Sequence, residues 1–436
     1  MNKGSKKTTI SFFGLLVCLF AILHISLFAD DKEKDKKKKK DDGLVGESKL
    51  IFDSGIGKFD WTGKKNNYSK STETSRKPTT KEVDGKATCP ICNKPIEVTN
   101  VTSTRYCLDY DFCEHFVGNS PYVFDIWCCS VCGYTAFKKS FEQPVEDEDK
   151  TFVKKYMTEP LQKEIKAEFG DLLKDLNTKP LSQKIIPAKA KIKNFVAYID
   201  HRNDLDDKWK AFYYVRAVYA LRNLISVAPS CTSLNKAFID ISKKVDAQVK
   251  IADEDKQMPH VSAFYLNFYL YIIPDYADGS KERLALHLLI SQCFNRLGYY
   301  SESKSHLSKA NEIYLKLKDV QDIDKIIKSQ LELIDLEKAY SLKAISYMKD
   351  ALEQKLDYGE NQNAVVYLIG ELSRRCEEYS DAYLFLSASK MLFPKEIPVY
   401  AWVEDHLKRK ELKNDDFLLL TPPAYLKQIV LDNNKK

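Results

Sequence analysis

The sequence lacks the motifs by which several large classes of enzyme are recognised. It contains no nucleophile elbow, no Gly-rich phosphate-binding loop and no His-Glu-x-x-His helix. These absences remove the usual serine-hydrolase, nucleotide-phosphate and zinc-protease interpretations. No catalytic residue is therefore predicted, and we expect that the protein is not an enzyme.

The chain also has little excess charge of either sign. Its formal net charge is +6, and three of the positive charges are Lys3, Lys6 and Lys7 at the extreme N-terminus. Without those three lysines the balance is +3 (6 minus 3). So small a surplus gives no reason to expect nucleic acid as a partner. What is present is a length of 436 residues, enough for two or three structural units, with 44% hydrophobic residues to fill a sizeable core.

The N-terminus has the pattern of a secretory signal. A basic start is followed by an apolar run over Ile10–Phe28 and a charged stretch from Asp30. We predict that residues 1–29 are a signal peptide cleaved after Ala29, which makes the protein exported, periplasmic or extracellular. The run is also long enough to span a bilayer, so the alternative is an uncleaved signal-anchor in the inner membrane through residues 10–28. No other membrane contact is expected.

Composition divides the remaining chain into five segments. Only Asp, Glu and Lys occur over residues 30–42, and such a segment has nothing to bury. Short β-branched and aromatic runs follow, and helical spacing takes over after Asp147. The predicted segments are a charged, mostly disordered tether (30–86), a zinc-ribbon-like module (87–147), a helical connector (148–205), a tetratricopeptide-like helical repeat domain (206–410) and a C-terminal tail (411–436).

Amphipathic spacing predicts the helices, and Pro and Gly punctuate them. The fold class is therefore α+β but mainly α, a small β-rich module followed by an α-solenoid of paired helices. Helical spacing begins over Phe152–Leu176 and continues over Trp209–Val227, Leu234–Ile251, Val261–Ile273, Lys281–Leu297, Tyr300–Leu317, Ile323–Leu336, Ala339–Gln354, Ala364–Cys376, Tyr379–Phe393 and Pro398–Lys408.

Two stretches have the small-residue pattern of a tetratricopeptide repeat, which packs two helices in 34 residues. The first copy lies within Asn361–Pro394, with Gly370, Tyr379, Ala382, Leu386 and Ser389 at the helix contacts. The second places Ser291, Phe294, Gly298, Tyr300, Ser303, Leu307 and Ala310 in the same relative positions. Ordinary helix packing without true repeats is the alternative.

Two Cys-x-x-Cys turns are the strongest chemical signal. Cys89 and Cys92 form one pair, and Cys129 and Cys132, followed by Gly133, form the other. Zinc takes four thiolates in a tetrahedron, and each turn presents two. We predict one structural zinc ion on these four residues. Four cysteines leave no position open for a water molecule, so no hydrolytic chemistry follows.

Further cysteines keep alternatives open. The 36 residues between the pairs contain Cys107, Cys113 and His115, and Cys128 adjoins the second pair. The first three residues would give a second ion only three ligands, so we expect buried or redox-active extras instead. Disulfides are the other alternative, because an exported protein meets an oxidising environment. Seven cysteines in this region would, however, leave one unpaired.

One charged pair stands out in the helical sequence. Glu371 and Arg375 are spaced i, i+4 on one helix face. This pair can line a groove, but such pairs are more often solvated or internal to a repeat.

Five segments together resemble the bacterial domain of unknown function 2225 family. They are Cys-Pro-Ile-Cys at 89–92, Asp-Tyr-Asp-Phe-Cys at 109–113, Asn-Ser-Pro-Tyr at 119–122, Ile-Trp-Cys-Cys-Ser-Val-Cys-Gly-Tyr-Thr-Ala-Phe at 126–137 and Tyr-Leu-Ile-Gly-Glu-Leu-Ser-Arg-Arg at 367–375. The resemblance runs from about Ala87 to Phe393. It implies a zinc-ribbon-like module followed by tetratricopeptide-like helices, and it implies no activity.

Two functions from different classes follow. The first is an exported zinc-binding scaffold or adaptor that binds a protein or peptide on the surface of its helical repeats. The second is a thiol-redox or metal-handling envelope protein that uses Cys107, Cys113 and Cys128.

Overall fold

The structure is a computed structural model that describes most of residues 80–433. Outside the described residues lie 1–79, 104, 117–118, 142, 171–180, 185, 226–231, 249–259, 318–319, 322, 414–416, 418–419 and 434–436. The predicted signal segment and residues 30–79 of the predicted tether therefore lie outside them, as does the side chain of Cys107.

Three two-stranded antiparallel sheets form the N-terminal module. The strands are β1 (Thr80–Thr88) paired with β2 (Pro95–Ser103), β3 (Arg105–Leu108) with β4 (Glu114–Phe116), and β5 (Ile126–Cys128) with β6 (Thr135–Phe137), and the short helices are α1 (Pro121–Phe124) and α2 (Lys138–Phe141). Strand β1 begins within the segment assigned to the tether. Its side chains are almost all exposed, so no alternation of hydrophobic residues marks it in the sequence.

A bent helical stretch follows the module. Helix α3 (Asp147–Phe152) continues through a π-helical turn (Val153–Met157) into α4 (Thr158–Phe169). The two ends of the turn, Val153 and Met157, are fully buried in the core of the module. The connector is thus packed against the module rather than separate from it.

The remaining helices form the larger part of the molecule, so the predicted mainly helical α+β class is confirmed. They are α5 (Ala188–His201), α6 (Asp207–Ile225), α7 (Asn235–Gln248), α8 (His260–Ile272), α9 (Lys281–Leu297), α10 (Tyr300–Tyr314), α11 (Ile323–Glu353), α12 (Gln362–Arg375), α13 (Tyr379–Leu392), α14 (Pro398–Leu407) and α15 (Ala424–Asn433). Among the described residues, no helix combines the length and apolar character needed to cross a membrane.

Helix α11 corrects one prediction. The sequence pattern predicts two helices, over Ile323–Leu336 and Ala339–Gln354, whereas the structure has one continuous helix of 31 residues. The residues at the predicted break, Glu337 and Lys338, are good helix formers. Glu337 interrupts the apolar pattern because it is a fully buried charge, paired with Arg222 of α6, and not because the helix ends.

The two stretches predicted as repeats have matching geometry. Each forms a helix pair, α9 with α10 and α12 with α13, and each first helix leads into a residue of positive φ, Gly298 (79°) and Glu377 (67°). These residues are 79 positions apart (377 minus 298), the same offset as Ser303 and Ala382 (382 minus 303). At the helix contacts, Ser291 Oγ lies 2.9 Å from Ser303 Oγ in the first pair. In the second pair, a Cβ added at Gly370 would come within 2.9 Å of Leu386.

Candidate metal centre

The first cysteine turn connects β1 to β2. Its backbone closes through two hydrogen bonds of 2.9 Å: the Cys89 N–H donates to the Lys94 carbonyl, and the Asn93 N–H donates to the Cys89 carbonyl. Asn93 adopts φ 56°, a left-handed conformation that asparagine tolerates better than most residues. The turn therefore presents Cys89 and Cys92 from one rigid knuckle.

The second turn, between β5 and β6, repeats this arrangement. The Cys129 N–H donates to the Tyr134 carbonyl and the Gly133 N–H donates to the Cys129 carbonyl, both at 2.8 Å. Gly133 has φ 79°, and a Cβ at this position would lie 2.6 Å from the backbone of Met157. Glycine is thus required both by the backbone conformation and by the close approach of the π-helical turn.

The two turns bring their four thiols into one cluster. Cys89 Sγ lies 3.5 Å from Cys132 Sγ, Cys92 Sγ lies 3.6 Å from Cys129 Sγ, and all four sulfurs lie within 4.8 Å of one another. A tetrahedral zinc ion with Zn–S bonds of about 2.3 Å places its sulfurs about 3.8 Å apart. A disulfide needs about 2.05 Å, so these spacings fit a metal and do not fit disulfide bonds.

The electrostatics of the cluster favour a cation at its centre. Hydrogen bonds from Cys129, Cys132 and Cys89 hold the pKa of the Cys92 thiol well below its usual value. The same crowding, with Cys129 and Cys89 as the main causes, raises the pKa of Cys132 far above its usual value. Thiol neighbours alone therefore lower the pKa of Cys89 and Cys92 but raise that of Cys129 and Cys132, whereas a divalent cation would stabilise all four thiolates.

Helices α4 and α5 brace the second turn from outside. Thr158 Oγ1 donates to the Cys132 carbonyl at 2.7 Å, and Asn194 Nδ2 donates to the Gly133 carbonyl at 3.0 Å. Such outer contacts fix the orientation of the ligands. Cys89 and Cys129 are fully buried, and Cys92 is the most exposed of the four.

Two of the extra cysteines, Cys113 and Cys128, have side chains that the structure describes, and neither has the surroundings of a reactive thiol. Cys128 is fully buried next to Leu161 and Ile165, and burial raises its pKa to about 11. Burial likewise raises the pKa of Cys113 well above its ordinary value. Because the thiolate is the reactive form, these shifts argue against the thiol-exchange alternative.

Asp109, Cys113 and His115 form a second group with potential ligand atoms within 4.8 Å of one another. Asp109 is already paired with His115 at 2.8 Å and with two guanidinium groups, Arg222 at 3.3 Å and Arg296 at 3.4 Å. Burial raises the pKa of Asp109, but His115 and the arginines outweigh this effect and hold it below its usual range. Since nearby positive charges repel a metal ion, these contacts favour the prediction that Cys113 and His115 are buried or redox-active extras rather than ligands of a second ion.

Sequence reasoning missed a second polar centre, where charges are buried between the hairpin β3–β4 and the helices. It contains four acids and four arginines, none more than 7% exposed. We call it the central charge cluster: Asp109, Asp111, Arg222, Arg296, Glu337, Glu371, Arg374 and Arg375.

The pair Glu371 and Arg375, predicted as solvated or internal to a repeat, is one part of this cluster. Arg374 binds Glu371 through two hydrogen bonds of 2.8 Å, and Arg375 Nε lies 3.2 Å from the same carboxylate. The two arginines also donate to the last carbonyls of α9, including those of Arg296 and Leu297, each at 2.6 Å. The cluster therefore also joins the two equivalent helix pairs.

Fold and site define a class: a mainly helical protein with an N-terminal β module that carries a closed four-cysteine cluster. Residues 83–178 match the family described as uncharacterized protein conserved in bacteria (DUF2225). The match confirms the resemblance to that family over the module and the start of the helical sequence. No curated protein and no solved structure matches the chain.

Proposed function

We propose that the protein is an exported, non-catalytic scaffold whose N-terminal module is held together by one structural zinc ion. The single observation that carries the proposal is the cluster of Cys89, Cys92, Cys129 and Cys132, whose sulfurs lie within 4.8 Å of one another. Four thiolates favour zinc among the common metals, and a full set of protein ligands is typical of structural sites.

The size of the module supports a structural role for the metal. Fewer than sixty residues separate the start of β1 from the end of β6, and a core this small rarely supports itself without a metal or disulfides. Its core packs three of the cysteines, Cys89, Cys129 and Cys132, against apolar side chains such as Ile96 and Trp127. A zinc ion would link the two cysteine turns within this small core.

The partner proposed for the scaffold is a protein or peptide bound on the surface of the helical domain. Paired helices that stack side by side present long surfaces of this kind. Export is supported only by the N-terminal sequence, which lies outside the described residues. Affinity capture from the cell envelope tests compartment and partner together.

Metal analysis of purified full-length protein tests the zinc site, and two neighbouring cysteines provide a matched pair of variants. Cys129→Ser removes one sulfur of the cluster, whereas Cys128→Ala removes the adjacent thiol that points into a different core. We expect one zinc per chain in the wild type and in Cys128→Ala, and much less than one in Cys129→Ser. A wild type without metal, with oxidised cysteines, would contradict the proposal.

A further inference from the structure

The turn between β3 and β4 projects into the helical domain. Residues 109–113 have the sequence Asp-Tyr-Asp-Phe-Cys, and none is more than 4% exposed. The turn closes on itself through hydrogen bonds of 2.9 Å from the Asp109 N–H to the Cys113 carbonyl and 3.0 Å from the Phe112 N–H to the Asp109 carbonyl. The other carbonyls and the side chains of the turn can therefore contact the surrounding helices.

The helices contact the backbone of the turn directly. The hydroxyl of Tyr219, on α6, donates to the Asp111 carbonyl. The hydroxyl of Tyr367, on α12, donates to the Tyr110 carbonyl at 2.9 Å. These carbonyls are not used in the sheet, so the two helices satisfy them as a receptor satisfies the backbone of a bound peptide.

The carboxylates of the turn meet arginines from three helices. Arg222 Nη1 lies 2.6 and 2.7 Å from the two oxygens of Asp111. Arg375 Nη2 lies 3.4 Å from Asp111, and Arg296 Nε lies 3.4 Å from Asp109. These charge-assisted contacts favour two acids at this spacing.

The aromatic side chains of the turn fit between rings of α12 and α14. The ring of Tyr110 lies 5.7 Å from Trp402 and 4.6 Å from His406, and the ring of Phe112 lies 5.3 Å from Tyr367. Phe112 adopts φ 65°, a costly conformation for a bulky residue. No glycine in the turn lowers this conformational cost. The contacts of Phe112 with the helices offset it.

We propose that the centre of the helical domain is a binding site for a short acidic and aromatic peptide turn, and that residues 109–113 are its resident ligand, supplied by the same chain. Backbone carbonyls, carboxylates and rings of one five-residue segment are contacted by four helices, α6, α9, α12 and α14. The inference rests on the proposed function, in which the helical domain binds a protein or peptide, but it places the site at the buried centre of that domain rather than on its surface and names the chemistry of the peptide.

A labelled peptide tests this site in the full-length protein. The probe has the sequence of residues 108–114 with Cys113→Ser, and the receptor variant is Tyr110→Ala/Phe112→Ala, which removes both rings of the resident turn. We expect this variant to bind the probe at least tenfold more tightly than the wild type does, as measured by fluorescence anisotropy. A second probe with Asp109→Asn and Asp111→Asn should bind at least tenfold more weakly.

Equal binding of the two probes by a variant that keeps its helical circular dichroism would overturn the proposal. If that variant does not fold, Tyr110→Leu replaces it and the thermal unfolding midpoint is measured with each probe. The acidic probe alone should raise the midpoint, and the same midpoint with both probes would also overturn the proposal.

Zinc content, measured on the same samples, separates the two proposals. If the wild type holds one zinc per chain but the variants do not bind the acidic probe, the peptide site is contradicted and the zinc scaffold is not. Peptide binding by a protein that holds no zinc would contradict the scaffold and keep the site.

Discussion

Gly133 shows how one residue links the metal centre to the helices. It follows the last cysteine of the second turn, adopts φ 79°, and has the backbone of Met157 where a Cβ would lie, 2.6 Å away. The sequence shows Gly133 directly after the last predicted ligand, Cys132. It did not predict the contact with Met157, because that contact comes from a π-helical turn that no local pattern marked.

We expect Gly133→Ala to destabilise the protein by more than the conformational cost alone. Gly279 is the matched control, since it has φ 85° but nothing within 4 Å of an added Cβ. Gly279→Ala should cost about 1 kcal/mol, and Gly133→Ala clearly more because the backbone of Met157 must move. Urea unfolding measures both free energies, and equal losses would contradict the close approach.

Arg222 bridges two carboxylates of the central charge cluster. It is fully buried between Asp111 and Glu337, each within 2.6 Å of one of its nitrogens. Replacing it with Met leaves both carboxylates without their main partner, and such breaks in buried ion pairs cost about 3–5 kcal/mol.

The control for Arg222→Met is Lys150→Met, which removes a pair with the exposed Asp147. That change should cost about 0–1 kcal/mol, as exposed pairs do. Denaturant unfolding compares the two variants. A loss below 1 kcal/mol for Arg222→Met would show that the cluster is far better solvated than its burial implies.

At the scale of elements, helices α9 and α10 meet through a pair of histidines. His287 Nδ1 lies 2.9 Å from His306 Nδ1, so one neutral ring donates and the other accepts. Burial, together with the positive charges of Lys309 and Arg283, lowers the pKa of His287 to about 4, and burial and Lys309 lower that of His306 to about 4. Protonation of both rings would place two N–H groups against each other.

This pair predicts a pH dependence of known sign. An unfolded histidine has a pKa of about 6.5, so between about pH 6.5 and 4 the unfolded chain binds protons that the folded chain does not. The stability from the pair is complete above pH 6.5 and is lost as the pH falls towards 4. His115 and His406, whose pKa values are also lowered, act in the same direction.

The double variant His287→Asn/His306→Asn should therefore lose less unfolding free energy between pH 7 and pH 5 than the wild type loses. Phe294→Leu is the control, because its ring contacts His306 but does not titrate. Urea titrations at the two pH values give the slopes. An unchanged slope in the double variant would contradict the lowered pKa values.

The elements were predictable where a pattern along the chain encodes them. Helix α9 has the bounds that were predicted, since Ser280 caps its start and Gly298 ends it. Strand β1 was missed because its stability comes from pairing with β2 rather than from buried side chains. Helix α11 was predicted as two helices because Glu337 places a charge at a core position. That charge is accounted for only by its partner, Arg222, on another helix.

At the scale of the whole molecule, the sequence predicted the cysteine cluster but not the central charge cluster. Cys-x-x-Cys spacing is local, and the two pairs have few alternative partners. The charge cluster joins Asp109 and Asp111 to residues more than a hundred positions away, such as Arg222 and Glu371. Each of these residues looks like an ordinary surface charge until the fold brings it to the centre.

The cysteine turns and the buried turn lie on one loop of the chain, which makes metal binding and helix stability interdependent. The 36 residues between Cys92 and Cys129 include residues 109–113. A metal that binds the folded loop, and finds no preformed site in the unfolded chain, stabilises the folded state by its binding free energy. Removing the metal should therefore weaken the helical domain as well as the module.

We expect chelation to lower the thermal midpoint measured by circular dichroism at the helical band, in a single transition. Cys129→Ser should show the same lowered midpoint without chelator, and chelator should not lower it further. Cys128→Ala should respond to chelation as the wild type does. If the helices unfold at an unchanged midpoint after complete removal of the metal, the stability of the helical domain does not depend on the module.

X-ray absorption at the zinc edge of the full-length protein tests directly whether four thiolates close the site around one zinc ion. We expect one zinc per chain with four sulfur ligands at about 2.3 Å and no nitrogen or oxygen ligand. A bound zinc with fewer than four sulfurs, or with a water ligand, would contradict this expectation.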